Sequence, residues 1–244
     1  MCIIISVLLI NYKLELTGEE MIKAIFFDLF FTLIVPAYGK TNNEFSILNL
    51  SVDWYEQFAE NDMLYRERAL GLVKTEVEII DKIISLIPFE VTTIQKEQVL
   101  YAREERMKNA LKKVSQEILD VLQKLKSMNI KLGLISNADR IDCKYWNQSP
   151  LFQYFNDAVF SCDVALLKPD RQIYELAMQR MNVSPEQCLF VGDGGSSELL
   201  GAKYAGMGTV FSEMLETKNV EQRKAIIQYA DYYVRHINEL FYYL

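Results

Sequence analysis

K-A-I-F-F-D-L-F-F-T-L, residues Lys23 to Leu33, is the stretch on which the fold turns. A short apolar run with aromatics and an isoleucine leads into one carboxylate, Asp28, and a hydroxyl follows at Thr32. Runs of this length and composition read as buried strands. Asp28 then stands at the carboxyl end of a strand, where open α/β sheets place their ligands. A carboxylate there can be a nucleophile, a metal ligand, or only the cap of the following turn. The other strand ends decide among these.

Downstream, from Val114, helix and strand patterns alternate, the mark of a parallel sheet. Ile118, Val121, Leu122, Leu125 and Met128 form an apolar helix face, and Ile130 to Ile135 reads as a strand ending in Ser136-Asn137. Ala158-Val159-Phe160 is a second strand, followed by a loop to Lys168-Pro169-Asp170. The next helix buries Ile173, Leu176, Ala177 and Met181, with Pro169 suited to its first turn. Ser184 to Gln187 is a tight helical start, and the strand Cys188 to Val191 ends in Gly192-Asp193-Gly194-Gly195. A helix begins near Ser197, Thr209-Val210-Phe211 is a further strand, and Tyr232-Tyr233-Val234 closes the sheet.

Between the first strand and Val114 the patterns are helical. Val77, Ile80, Ile83, Ile84 and Ile87 fall at helix spacing before Pro88. Thr92 with Gln95 forms a capping box for the next helix, and Trp54 and Phe58 share one face of an earlier one. These residues make an inserted helical subdomain over 36–113, leaving 21–35 and 114–244 as the α/β core. Arg66, Arg68, Arg103 and Arg106 read as solvated or salt-bridged, with contact to an anionic substrate as the alternative.

Upstream, residues 1–20 open with an apolar run from Cys2 to Ile10 that is too short to span a bilayer. No basic segment precedes it and no small-residue cleavage site follows, which argues against a signal peptide. The run is either an extra edge strand or not translated at all, with Met21 as the start. The second is favoured, because Gly18-Glu19 can be encoded by a ribosome-binding-like sequence.

Composition narrows the chemistry. A chain of 244 residues, 50% hydrophobic, can bury a sizeable core without disulfides. Its net charge of −7 and lack of any basic block exclude a nucleic-acid binder held by phosphate contacts. Four scattered cysteines, with no C-x-x-C, fit reduced thiols in a cytoplasmic protein. The single histidine, His236, rules out zinc sites that need two and leaves one poorly placed candidate for Ser-His or Cys-His catalysis. Carboxylates, Lys, Ser and Thr remain. Gly201 to Gly206 has P-loop spacing, but Met207 stands where Lys is required, and the third glycine of a dinucleotide fingerprint starting at Gly192 falls on Ser197.

Asp28 with Thr32, then Ser136, then Lys168, then Asp193 with Glu198 occupy successive strand ends in that order. Each alone has an ordinary reading as turn or solvated side chain. Together they suit phosphoryl chemistry: a carboxylate attacks phosphorus, hydroxyls and an ammonium hold the oxygens, and a carboxylate-bound Mg²⁺ neutralises charge.

Over residues 22 to about 235 the chain resembles the haloacid dehalogenase-like (HAD) hydrolase superfamily. The pieces are F-F-D-L-F-F-T-L, L-I-S-N, L-K-P-D-R-Q-I-Y and V-G-D-G-G-S-S-E-L-L-G-A-K-Y-A-G-M. The resemblance implies a Rossmann-like core with a helical cap inserted between the first two motifs. It implies Asp28 as nucleophile, Thr32 and Ser136 as oxygen-positioning hydroxyls, and Lys168 pairing with nucleophile and phosphate. Asp193 would bind Mg²⁺, Glu198 stands where a second Asp is usual, and the backbone carbonyl of Phe30 would face the metal. A small phosphorylated metabolite is the implied substrate. Two departures stand out. Position 30, usually an Asp serving as general acid in the family's phosphatases, is Phe, and Phe31 replaces the usual Gly. An aromatic at that position is similar to the family's dehalogenases, which lack the metal-binding acid kept here at Asp193. The expectation is therefore a Mg²⁺-dependent phosphohydrolase with an altered acid step. A dehalogenase-type carbon hydrolase and a catalytically weak phospho-ligand-binding protein are the alternatives. The Tyr-rich tail from Tyr229 reads as packing or interface rather than site.

Overall fold

A computed structural model describes residues 21–244. The edge strand and the Met21 start expected for residues 1–20 fall outside the described residues. Strands β1 (Ala24–Phe27), β2 (Lys131–Ser136), β3 (Asp157–Phe160), β4 (Cys188–Gly192), β5 (Gly208–Ser212) and β6 (Tyr232–Val234) form one parallel sheet, ordered β3-β2-β1-β4-β5-β6. β1 lies between β2 and β4, with Ile25 in register with Leu132 and Leu189. A parallel strand covered on both faces is apolar throughout rather than alternating, which is why all four residues of β1 are buried.

The helices are α1 (Glu44–Ile47), α2 (Val52–Ala59), α3 (Asp62–Ala69), α4 (Glu76–Ser85), α5 (Thr93–Lys112), α6 (Gln116–Ser127), α7 (Arg140–Cys143), α8 (Ser161–Val164), α9 (Arg171–Met181), α10 (Glu198–Tyr204) and α11 (Val220–Ile227). Side chains of β1 alternate between two clusters, as a pleated strand requires. Ile25 and Phe27 pack with Leu122 and Leu125 of α6, whereas Ala24 and Phe26 pack with Ile173 and Tyr174 of α9 and Ala202 of α10. The sheet is thus a Rossmann-like layer with helices on both faces.

Helices α1 to α5 lie between β1 and β2 and carry their own apolar cluster, built on Leu48, Tyr55, Ile79, Ile80, Ile83, Val99 and Met107. Ile141 of α7 belongs to the same cluster and ties it to the sheet layer. The capping box of α5 is formed: Gln95 N–H donates to Thr92 Oγ1 at 3.2 Å, and Thr92 N–H donates to Gln95 Oε1 at 3.1 Å.

Several local expectations change. Val77 is 58% exposed, because the buried stripe of α4 is Ile79, Ile80, Ile83 and Ile84. At about 100° per residue Val77 falls on the margin of that stripe. Met128 is exposed because α6 ends at Ser127 and Met128 is its C-cap. Pro169 does not open α9: Asp170 is the N-cap, and the Lys168–Pro169 peptide ahead of it is cis. In the Tyr-rich tail, Ile237 and Leu240 are buried and Tyr242 is exposed.

Candidate active site

The order of strands reverses direction of growth between β1 and β4, and the crevice beyond their carboxyl ends is where this architecture binds ligands. Asp28 continues β1 by one residue, its N–H donating to Val191 O at 2.9 Å. The chain then folds into a tight turn, with Phe31 in the left-handed region (φ 58°) and the N–H groups of Leu33 and Ile34 both donating to Leu29 O. That turn buries Thr32 and leaves Phe30 and Phe31 on the wall of a cavity of about 620 Å³. Asp28, Lys168, Asp193 and Glu198 line the same cavity.

Lys168 is the hub. Its buried Nζ donates to Asp28 Oδ1 and, at 2.5 Å, to Glu198 Oε2. Its backbone is clamped by Asn137, whose Nδ2 donates to Lys168 O at 3.0 Å while Lys168 N donates to Asn137 Oδ1 at 2.8 Å. Glu198 is held from both sides: Oε1 accepts from Gly194 N at 3.1 Å, and the Tyr174 hydroxyl donates to Glu198 O at 2.7 Å. Two glycines make room. A Cβ on Gly192 would lie 2.0 Å from Glu198 Oε1, and one on Gly201 would lie 2.4 Å from Pro169 O. Any side chain at either position would push the hub apart.

Carboxylate oxygens of Asp28, Asp193 and Glu198 lie within 4.8 Å of one another. Burial raises the Asp28 carboxyl above its usual range despite the Lys168 ammonium beside it. Burial, and then the neighbouring Asp28, push Glu198 up further. Burial alone would lower Lys168, but Asp28 and Glu198 outweigh it and hold the ammonium charged. A cluster of buried oxygen donors with surplus negative charge fits a hard dication such as Mg²⁺. Glu198 is tied to Lys168 and Gly194 through its two oxygens, which makes it the support of Lys168; Asp28, and Asp193 once Lys218 releases it, are the candidate direct donors.

Thr32 and Ser136 are fully buried at the ends of their segments, and among the described residues neither hydroxyl oxygen has a hydrogen-bond partner. Asn137, not Ser136, contributes to the cavity lining. Buried polar atoms left unpaired are uncommon and costly, by about 1–3 kcal/mol each.

Lys218, from the loop after β5, has no counterpart in the sequence reading. Its Nζ donates to Asp193 Oδ2 at 2.5 Å and also to Glu216. Asp193 Oδ1 accepts from Gly195 N at 3.2 Å. The ammonium therefore shares the carboxylate oxygen that a dication would use. Lys218→Met is expected to tighten Mg²⁺ binding about tenfold, since a charge-assisted hydrogen bond no longer competes for Asp193. Calorimetric titration of substrate-free protein measures it; unchanged or weaker binding would mean that Lys218 helps to hold the site together.

Of the four arginines singled out in the inserted helices, Arg66 is exposed as read, whereas Arg68, Arg103 and Arg106 are more buried than a solvated face would be. Arg68 of α3 and Arg103 of α5 converge on Asp139 Oδ2 at 2.8 and 3.0 Å, and all three side chains are no more than 3% exposed. Arg103 Nη2 also reaches Asp142 Oδ1 at 3.0 Å. Burial and the adjacent Asp139 raise the Asp142 carboxyl to about 6. Arg106 pairs with the fully buried Glu44 at 2.8 Å. Arg68, Arg103, Arg106, Glu56 and Glu60 all line the cavity that holds Asp28. No helix of the described residues is long and apolar enough to cross a membrane.

Comparison with known proteins agrees with this geometry. The family model "haloacid dehalogenase-like hydrolase" matches residues 22–206. Similar curated proteins include the rhythmically expressed gene 2 protein of Drosophila melanogaster, 40% identical over 96 residues covering 38% of this chain and 37% of that protein. Glyceraldehyde 3-phosphate phosphatase of Methanothermobacter thermautotrophicus is 35% identical over 99 residues, covering 38% of this chain and 43% of that enzyme. The matches thus span roughly two-fifths of these relatives' length. Among solved structures, the HAD-hydrolase YfnB of Bacillus subtilis bound to magnesium superposes with a TM-score of 0.65 at 19% identity, covering 92% of this chain and 99% of that one. At that identity the likeness speaks for the fold.

Proposed function

Because the chain belongs to the haloacid dehalogenase-like hydrolases, we propose that it is a Mg²⁺-dependent phosphohydrolase acting on small phosphorylated metabolites through an aspartyl-phosphate at Asp28. The observation that carries this reading is the convergence of Asp28, Lys168, Asp193 and Glu198 in one cavity at the carboxyl edge of a parallel sheet. Residues 36–113 serve as the cap over that cavity, and residues 21–35 with 114–244 as the core.

In the first step an Asp28 oxygen attacks phosphorus and the ester oxygen leaves with its electron pair. Lys168, oriented by Asn137 and Glu198, keeps Asp28 aligned and donates to a phosphoryl oxygen. Thr32 and Ser136, whose hydroxyls are otherwise unpartnered, supply further donors to those oxygens. Asp28, Asp193 and the Phe30 carbonyl would hold Mg²⁺, with Glu198 beside them, and the ion would supply electrostatic neutralisation of the crowded oxygens. In the second step water attacks phosphorus, breaks the bond to Asp28 and releases inorganic phosphate. The relative named as a phosphatase and the magnesium-bound structural neighbour support this assignment. The cytoplasm is the compartment that the unpaired thiols of Cys143, Cys162 and Cys188 suit.

Phe30 favours a second reading, a dehalogenase-type attack of Asp28 on carbon. The two differ in product and metal need. Phosphate release from a panel of phosphorylated metabolites is expected, and chelation of Mg²⁺ should abolish it. Chloride release from a 2-haloacid that survives chelation would overturn the phosphohydrolase reading in favour of the second.

A further inference from the structure

Three arginines of the inserted helices line the cavity above Asp28, but they are not equivalent. Arg68 and Arg103 are charge-paired with Asp139 and Asp142, although Arg103 pairs only through Nη2 and its buried Nε and Nη1 have no hydrogen-bond partner among the described residues. Arg106 is instead fixed from behind. Its Nε donates to Glu44 Oε1 at 2.8 Å and its Nη1 to Pro36 O at 3.0 Å. Its guanidinium lies over the ring of Tyr38, 4.4 Å from the centroid. Among the described residues Nη2 makes no hydrogen bond. Pro36 and Tyr38 line the Asp28 cavity and Glu44 lines a second one, and Arg106 borders both.

The chain thus holds a planar cation in one orientation, with a carboxylate, a carbonyl and an aromatic ring as its supports, and leaves Nη2 without a partner among the described residues on a side chain that lines the reaction space. A guanidinium held in this way loses little further side-chain freedom on binding, and its free edge matches an oxyanion. Resting on the phosphohydrolase reading of Asp28, we propose that Arg106 binds an oxyanion on the departing half of the substrate. The preferred substrates are phosphate esters bearing a second acidic group, a carboxylate or a second phosphate.

Arg106→Met alone leaves Glu44 buried without its partner and endangers folding. The test therefore uses Glu44→Gln/Arg106→Met beside Arg106→Lys, which keeps the charge but not the planar fork. Binding of three non-hydrolysable probes is titrated on Mg²⁺-loaded full-length protein: phosphonoacetate, methylenebisphosphonate and propylphosphonate. The unmodified protein should bind at least one acidic probe about tenfold or more tighter than propylphosphonate. Which acidic probe gains identifies the second group. The double variant should reduce that preference to about onefold, with propylphosphonate affinity unchanged, and Arg106→Lys should recover it only in part. With acid-bearing esters the double variant should raise KM and leave kcat nearly constant.

Equal affinities in the unmodified protein, or a preference that survives in the double variant, would overturn the proposal and leave the hydrolase reading intact. Acid-selective binding without turnover of any phosphate ester would sustain Arg106 recognition and remove the hydrolase reading. If no phosphonate binds, both fall.

Discussion

Asp28→Asn is expected to abolish turnover while leaving the fold intact. The amide oxygen is a poor nucleophile, and no other described carboxylate that lines the cavity continues β1. Removing the nucleophile from a covalent hydrolase costs on the order of 10⁶ in kcat, and a loss of that size is expected here. The same substitution should not lower the melting temperature. Asp28 is a carboxyl whose folded pKa is raised by burial, so its charge opposes folding near neutral pH, and Lys168 keeps Glu198 as a partner. Phosphate release and thermal unfolding measured on the same preparation separate chemistry from stability. Residual activity within tenfold of the unmodified protein would remove Asp28 as the attacking group. A collapse of the melting temperature would mean that its charge is structural.

The second large effect follows from Phe30. Attack at phosphorus expels an alkoxide, and an alkyl alkoxide leaves readily only if protonated as it departs. General acid catalysis of that kind is worth about 10² to 10⁴ in rate, or roughly 3 to 5 kcal/mol. Phe30 lines the cavity and carries no proton to give. Alkyl phosphates should therefore turn over about 10²-fold or more slowly than acyl or nitrophenyl phosphates. The second step suffers too, since nothing at position 30 deprotonates the attacking water, and phosphoenzyme should accumulate at Asp28. Rapid-quench mass spectrometry of the intact chain detects it. Phe30→Asp should flatten the dependence of rate on leaving-group pKa wherever the new carboxylate is accommodated. Equal rates on acyl and alkyl phosphates in the unmodified chain would instead assign the proton to Glu56 or Glu60, carboxyls on the same cavity wall. Glu56→Gln and Glu60→Gln would then slow the alkyl substrates alone.

What could be read ahead of the structure divides along a physical line. β1, β2, β4 and β5 are buried on both faces, so their apolar runs stand out, and Asp28, Ser136 and Asp193 sit where the first three of these runs stop; Lys168, expected at a strand end, follows the helix after β3 instead. Lys168 was readable because a motif surrounds it. Lys218 was not: it lies in an irregular loop with no period and no neighbour in sequence to mark it, and reaches Asp193 only through tertiary folding. The charged helix α5 misled for another reason. Its mixed surface reads as solvent-facing, yet Arg103 is buried because Asp139 and Asp142, some forty residues later, neutralise it. Asn137, just past the β2 run, clamps the Lys168 backbone, a role that no spacing rule encodes.

The junction at Asp139 bears on how the cavity is bounded. Two helices of the insertion are bolted through Arg68 and Arg103 to a single carboxylate just beyond β2. Pulling them away would break both ion pairs at that buried carboxylate. Away from that junction the cavity is bordered by short segments, Pro36–Tyr38 and the loop carrying Glu216 and Lys218. The cavity is thus closed by ion pairs on one side and bordered by short loops on the other.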